Sequence, residues 1–167
     1  MLIAALLAGA VAAGAPASDP SGIFQATCLD GTARLSASDV SPSSFDQLPS
    51  DLRERLGRPA SGNVWRLNAA GNAYLYVLDY APGPGITPKV CGVASDSMDL
   101  NTAASALEVR VGAGTSRQRT RTMQWVNVQD GYIATATTAA KYNVLQISWM
   151  SDADKAAAQS QVEQLPH

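Results

Sequence analysis

The residues able to do acid–base or nucleophilic chemistry are sparse. The chain holds one histidine, His167, and it is the last residue. A Ser-His-Asp or Cys-His arrangement needs an imidazole fixed by a third group, and a residue following Pro166 is a poor candidate for that. Histidine-based zinc sites are disfavoured on the same ground. Carboxylates do pair along the chain: Asp46 with Asp51, Asp96 with Asp99, Asp152 with Asp154. Each pair falls at an expected helix start, where carboxylates offset the helix dipole. Glycosidase chemistry would instead need two carboxylates facing each other across a substrate. The glycines at 112 and 114 precede a strand, whereas a phosphate cradle needs amides at a helix start. No cofactor is expected.

One constellation suits ligand binding. Alternate residues of a strand share a face. Tyr74, Tyr76 and Tyr80 fall on one face of a strand over residues 74–80, with Leu75 and Val77 on the other. Arg117, Arg119, Arg121, Met123 and Trp125 alternate in the same way along a strand expected over residues 117–129. Were the two faces to coincide, Tyr74, Tyr76, Tyr80, Arg119, Arg121 and Trp125 would form a surface for a small anionic ligand or a protein partner.

These residues need a sheet to carry them, and the chain supplies the signals. Residues 64–95 read as a three-stranded meander, with strands at residues 64–68, 74–80 and 89–95, a turn at residues 69–72 and a Pro/Gly loop at residues 81–88. Residues 117–150 read as a second meander, with Asp130-Gly131 and residues 139–141 as turns. Helices are expected at residues 20–29 behind an Asp19 cap, at residues 51–56 behind a Ser50 cap, at residues 100–110 and from residue 152. The second is the clearest. Leu48, Leu52 and Leu56 recur on one side, Gly57 ends it and Pro59 prevents its continuation. Residues 36–44 are polar and contain Pro42, and read as a loop. The fold class is therefore α+β: a mostly antiparallel sheet of about six strands in two β-meanders, with helices packed on one face.

Residues 1–13 are an uncharged apolar run, too short to span a bilayer, followed by Ala15-Pro16-Ala17. That small-x-small pattern predicts a signal peptide over residues 1–17 and a single domain over residues 18–167, periplasmic or secreted, with no stable membrane insertion after cleavage. Two cysteines in an exported chain predict one disulfide, Cys28 to Cys91. The net charge of -2 and pI near 5.2 argue against general nucleic-acid binding, which needs a basic excess.

At Phe24…Cys28, Leu48-Pro49…Leu52…Leu56, Trp65-Arg66-Leu67, Cys91-Gly92-Val93-Ala94 and Ser148-Trp149-Met150-Ser151, the chain resembles small exported bacterial proteins of unknown function with one cysteine pair. The resemblance implies an envelope or secreted location and a disulfide, and it assigns no activity. The expected role is a non-enzymatic ligand- or partner-binding domain of the bacterial envelope. The alternatives are an enzyme inhibitor or immunity-like protein docking through residues 81–88, and a hydrolase whose carboxylate or serine site only the fold assembles.

Overall fold

The computed structural model describes residues 19–32, 35–69, 71–83, 87–111 and 122–163. The expected signal peptide, Arg117, Arg119, Arg121 and His167 lie outside the described residues. The described residues form a seven-stranded antiparallel sheet with four α-helices, an α+β fold. In chain order the helices are α1 (Pro20–Phe24), α2 (Ser50–Leu56), α3 (Leu100–Val111) and α4 (Asp152–Glu163). The strands are β1 (Val40–Ser43), β2 (Ser61–Leu67), β3 (Ala73–Asp79), β4 (Lys89–Ser95), β5 (Thr122–Asn127), β6 (Tyr132–Ala139) and β7 (Tyr142–Trp149).

The sheet order is β1-β2-β3-β4-β7-β6-β5. Both expected meanders are present, and they join where β4 runs antiparallel to β7. The strand not expected is β1. Its four residues include Pro42, which pairs opposite Trp65 at the edge of the sheet. Proline lacks a ladder donor but is tolerated on an edge strand, so a polar segment that reads as a loop becomes strand once β2 is beside it.

Local capping follows the sequence at α1, α3 and α4; at α2 the expected cap, Ser50, is already the first helical residue, Pro49 takes the cap position, and no side chain bonds the helix start. Asp19 accepts from the backbone N–H groups of Ser21 and Gly22 at 3.2 and 3.0 Å, with Pro20 in the first helical position. α1 then widens into a π-helical turn over Gln25–Leu29, which carries Cys28. Asp99 accepts from Thr102 N–H at 2.7 Å and starts α3. Ser151 accepts from Asp154 N–H at 3.1 Å and returns its own hydroxyl to the Asp154 carboxylate at 2.6 Å, starting α4. At the other end of α2, Gly57 adopts φ 71°, a left-handed conformation glycine enters without steric cost.

Helices cover both faces of the sheet, not one. On the first face, Phe24, Cys28, Ala103, Ala104 and Leu107 pack onto Leu75, Cys91, Val93, Leu145 and Ile147. On the second, Leu48, Leu52 and Leu56 pack onto Val64, Tyr76, Leu78, Val90 and Val144. The leucine stripe of α2 is two turns long and too short to be stable alone. Burying leucines such as Leu52, at about 1.5–3 kcal/mol each, holds it to the sheet. The Cys28–Cys91 disulfide, with Cα atoms 5.5 Å apart, ties the π-helical turn to the central strand on the first face.

One polar clamp pins three chain segments at the end of the sheet. Asn72 donates to the Asp96 carboxylate from its backbone N–H at 2.7 Å and its side chain at 2.8 Å, and Lys141 reaches it at 3.3 Å. These bonds, the Asn72 side chain's first, hold the Asp96 pKa below its ordinary 3.8. A lowered folded pKa contributes stability that is present above 3.8 and is lost as pH falls through the folded value. Asp96→Asn is therefore expected to be less stable than wild type at neutral pH, with the gap closing in acid. Urea midpoints measured down the acid range check this; a gap that stays constant would show that the charge of Asp96 is not what the clamp uses.

Candidate functional site

The face expected from the tyrosines and Trp125 does not assemble. Trp125 lies in one cross-sheet row with Ala134, Ile147, Cys91 and Val77, on the disulfide side. It is 3% exposed and packs in the α3 core. Tyr74, Tyr76 and Tyr80 face the other way, toward α2. Arg119 and Arg121, their expected companions, lie outside the described residues.

Nor are the tyrosines an open surface. Tyr76 is fully buried, and its hydroxyl donates to Gln146 Oε1 at 3.0 Å; Gln146 Nε2 donates on to Ser148 Oγ at 3.0 Å. The ring crosses Gly92, its register partner on β4, and any Cβ there would overlap the phenol. Burial pushes the Tyr76 pKa well above its ordinary value, with the Arg55 charge opposing, so the group is a neutral donor in the working pH range. Tyr74 meets Tyr142 edge-on, with ring centroids 6.2 Å apart. The Tyr80 hydroxyl donates to the Leu56 carbonyl at 2.7 Å and so bonds the last turn of α2. Burial raises the Tyr80 pKa as well. The tyrosine face is thus the seat of α2.

Seating α2 creates two concavities, one on each side of it. The smaller, about 380 Å³, is lined by Arg55, Leu56, Tyr80, Thr87, Val90, Gln146 and Ser148. Two expected residues meet it: Tyr80 in its wall, and Tyr76 through Gln146 in its floor. The larger is an open groove of about 760 Å³. Phe45, Pro59 and Leu78 give it apolar surface, and Arg53 and Arg58 bring two guanidiniums. Asp46 and Glu54 also line it. Among the described residues the ion pairs are Arg110–Asp30 and Lys141–Asp96, so neither Arg53 nor Arg58 is held by a carboxylate.

No known family, curated protein or solved structure matches the chain. The chemistry must be read from the grooves themselves. Ser61 lines the larger groove and donates to Asp79 at 3.3 Å, a serine on a carboxylate with no imidazole between them among the described residues. Among the described residues no three His, Cys, Asp or Glu converge as a metal site, and no helix is long and apolar enough to cross a membrane.

Arg53, Arg55 and Arg58 were not singled out by sequence reasoning. The available signal was three arginines within six residues, ending at the Gly57-Arg58-Pro59 stop. In an amphipathic helix such a run reads as its solvated side. What turns it into groove walls is the sheet on which α2 lies.

Proposed function

We propose that the chain is an exported domain of the bacterial envelope that binds a small amphiphilic anion in the larger groove beside α2. The observation carrying this is an apolar floor and two guanidiniums in one groove, neither of them in an ion pair among the described residues although Asp46 and Glu54 line the same groove. Guanidinium forks suit carboxylate and phosphate groups, and an apolar floor suits the hydrocarbon of the same molecule. The apolar leader, the disulfide and the absence of a basic excess fit an exported carrier or sensor of such a molecule. The second reading is a hydrolase. It is supported by Asp46 and Glu54 lining the same groove, where two carboxylates supply the residue types of general acid–base chemistry.

Octanoate and octyl phosphate are suitable probes, titrated calorimetrically and followed by amide chemical shifts. Each charge-assisted contact is worth about 1.5–3 kcal/mol. The Arg53→Ala/Arg58→Ala double variant is therefore expected to bind at least tenfold (about 1.4 kcal/mol) more weakly than wild type. Shift changes should map to residues 45–62 and Leu78. Undiminished affinity in the double variant, or changes mapping elsewhere, would remove this reading. Turnover of an ester or glycoside by wild type, abolished by both Asp46→Asn and Glu54→Gln, would move the assignment to the hydrolase.

A further inference from the structure

The opposite face of the sheet carries a second, independent groove, set against the disulfide. Two cavities of about 300 and 340 Å³ share Cys28, Leu29, Asp30 and Trp149. Strand register aligns what lines them. Lys89 on β4, Trp149 on β7 and Tyr132 on β6 stand in one cross-sheet row. Neighbouring strands are about 4.8 Å apart, so the row spans about 10 Å, the length of two pyranose rings.

Each position in the row has distinct chemistry. Lys89 Nζ sits 5.7 Å from the Trp149 ring centroid, a cation–π contact. Asp79, the register partner of Lys89 on β3, extends the row and accepts from Ser61; among the described residues no carboxylate, Asp79 included, is within ion-pair distance of the Lys89 ammonium. Trp149 and Tyr132 are both half-buried, with their inner sides against the core. At the Tyr132 end, Asn127 Nδ2 donates to both the Tyr132 hydroxyl, at 3.2 Å, and the Asp130 carboxylate, at 2.9 Å. Asp30 is paired with Arg110, and its charge is thereby offset. Thr27 lines the Lys89 end, and its buried hydroxyl has no hydrogen-bond partner among the described residues.

We infer that this row is a binding site for an acidic disaccharide. The C–H faces of sugar rings stack on indole and phenol rings, whose faces carry partial negative charge. Ring hydroxyls suit the Asp130–Asn127 pair, which offers both acceptors and donors. A carboxylate on the saccharide can form with Lys89 the ion pair that Asp79 does not make. The site does not depend on the α2 groove, which lies across the sheet.

Digalacturonate and neutral maltose are the probes, titrated against the full exported chain by tryptophan fluorescence and amide shifts. Digalacturonate is expected to give a saturable change, with amide shifts at residues 27–31, 89, 130–132 and 149, and to bind about tenfold more tightly than maltose. Lys89→Ala should abolish that preference, and Trp149→Leu should abolish binding of both sugars. Trp65→Phe should leave both affinities unchanged and confirm which tryptophan reports. If Trp149→Leu does not fold, the Lys89→Ala result and the amide shifts decide alone. Absence of saturable change with digalacturonate at tens of millimolar overturns the inference, as does equal affinity for maltose in the wild type.

Discussion

Replacing Cys28 and Cys91 together by alanine is expected to remove about 4 kcal/mol of stability, by the chain-entropy account of a cross-link. The bridge spans a sequence separation of 63, so the reduced unfolded chain regains the freedom of a long loop. Both cysteines are buried, at 6% and 2% exposure, and alanine keeps the site apolar, so no unpaired hydroxyl adds to the cost. A small domain has about 5–15 kcal/mol in all, which makes this a large share. The loss should start at α1 and the π-helical turn, which without the bridge are held by Phe24 buried against β4 and β7, by Ile23 and Leu29 on the core and by the Asp30–Arg110 pair. Urea unfolding of oxidised wild type and the alanine pair measures it. The variant should also show a larger m-value, because its unfolded state exposes more surface. A difference below about 1 kcal/mol would mean that the tether hardly restricts the unfolded chain.

The second large effect is expected at Gly92. Its place on β4 lies beneath the Tyr76 ring, and a Cβ would come within 2.5 Å of Tyr76 Cζ and 2.8 Å of the Leu145 carbonyl oxygen. Gly92→Ala therefore displaces the phenol or spreads β4 from β7. Overpacking of this kind costs about 1–3 kcal/mol. Losing the Tyr76–Gln146 bond in a buried place adds about 1 kcal/mol more. A total of about 3 kcal/mol is expected in chemical denaturation. Tyr76→Leu in the same chain should recover part of it, since the ring is one obstacle and the Leu145 carbonyl remains the other. Strictly additive penalties for the two substitutions would show that they do not share the cause assigned here.

Much of the architecture was legible because its signals are local. Asp19 before Pro20, Ser151 three residues before Asp154, and the leucine stripe closed by Gly57 each report a helix end within a few residues. The two meanders announced themselves through alternation and turn residues. Strand β1 did not, since Val40–Ser43 has neither hydrophobic alternation nor free choice of donor and exists through its pairing with β2. The candidate site fared worse for a related reason. Alternation says which residues share a face, and it placed Leu75 and Val77 opposite the tyrosines correctly. It does not say what lies on that face. The stripe Leu48, Leu52 and Leu56 required some apolar surface, but only the three-dimensional fold identified it as the tyrosine side. Once α2 sits there, the tyrosines become foundation, and the arginines of α2 inherit the role of lining cavities.

Pro42 has a consequence beyond the folded monomer. The sheet ends at β1, a strand of four residues, and alternate amides of such an edge point away from the sheet. Pro42 removes one of the few donors this edge has to offer, and the chain turns away at Phe45–Gln47 immediately afterwards. An incoming strand from another molecule finds a template too short and too poor in hydrogen-bond donors to extend. The residue that hid β1 from a reader of the sequence also leaves this edge of the sheet, unlike the one at β5, short of a donor for an incoming strand.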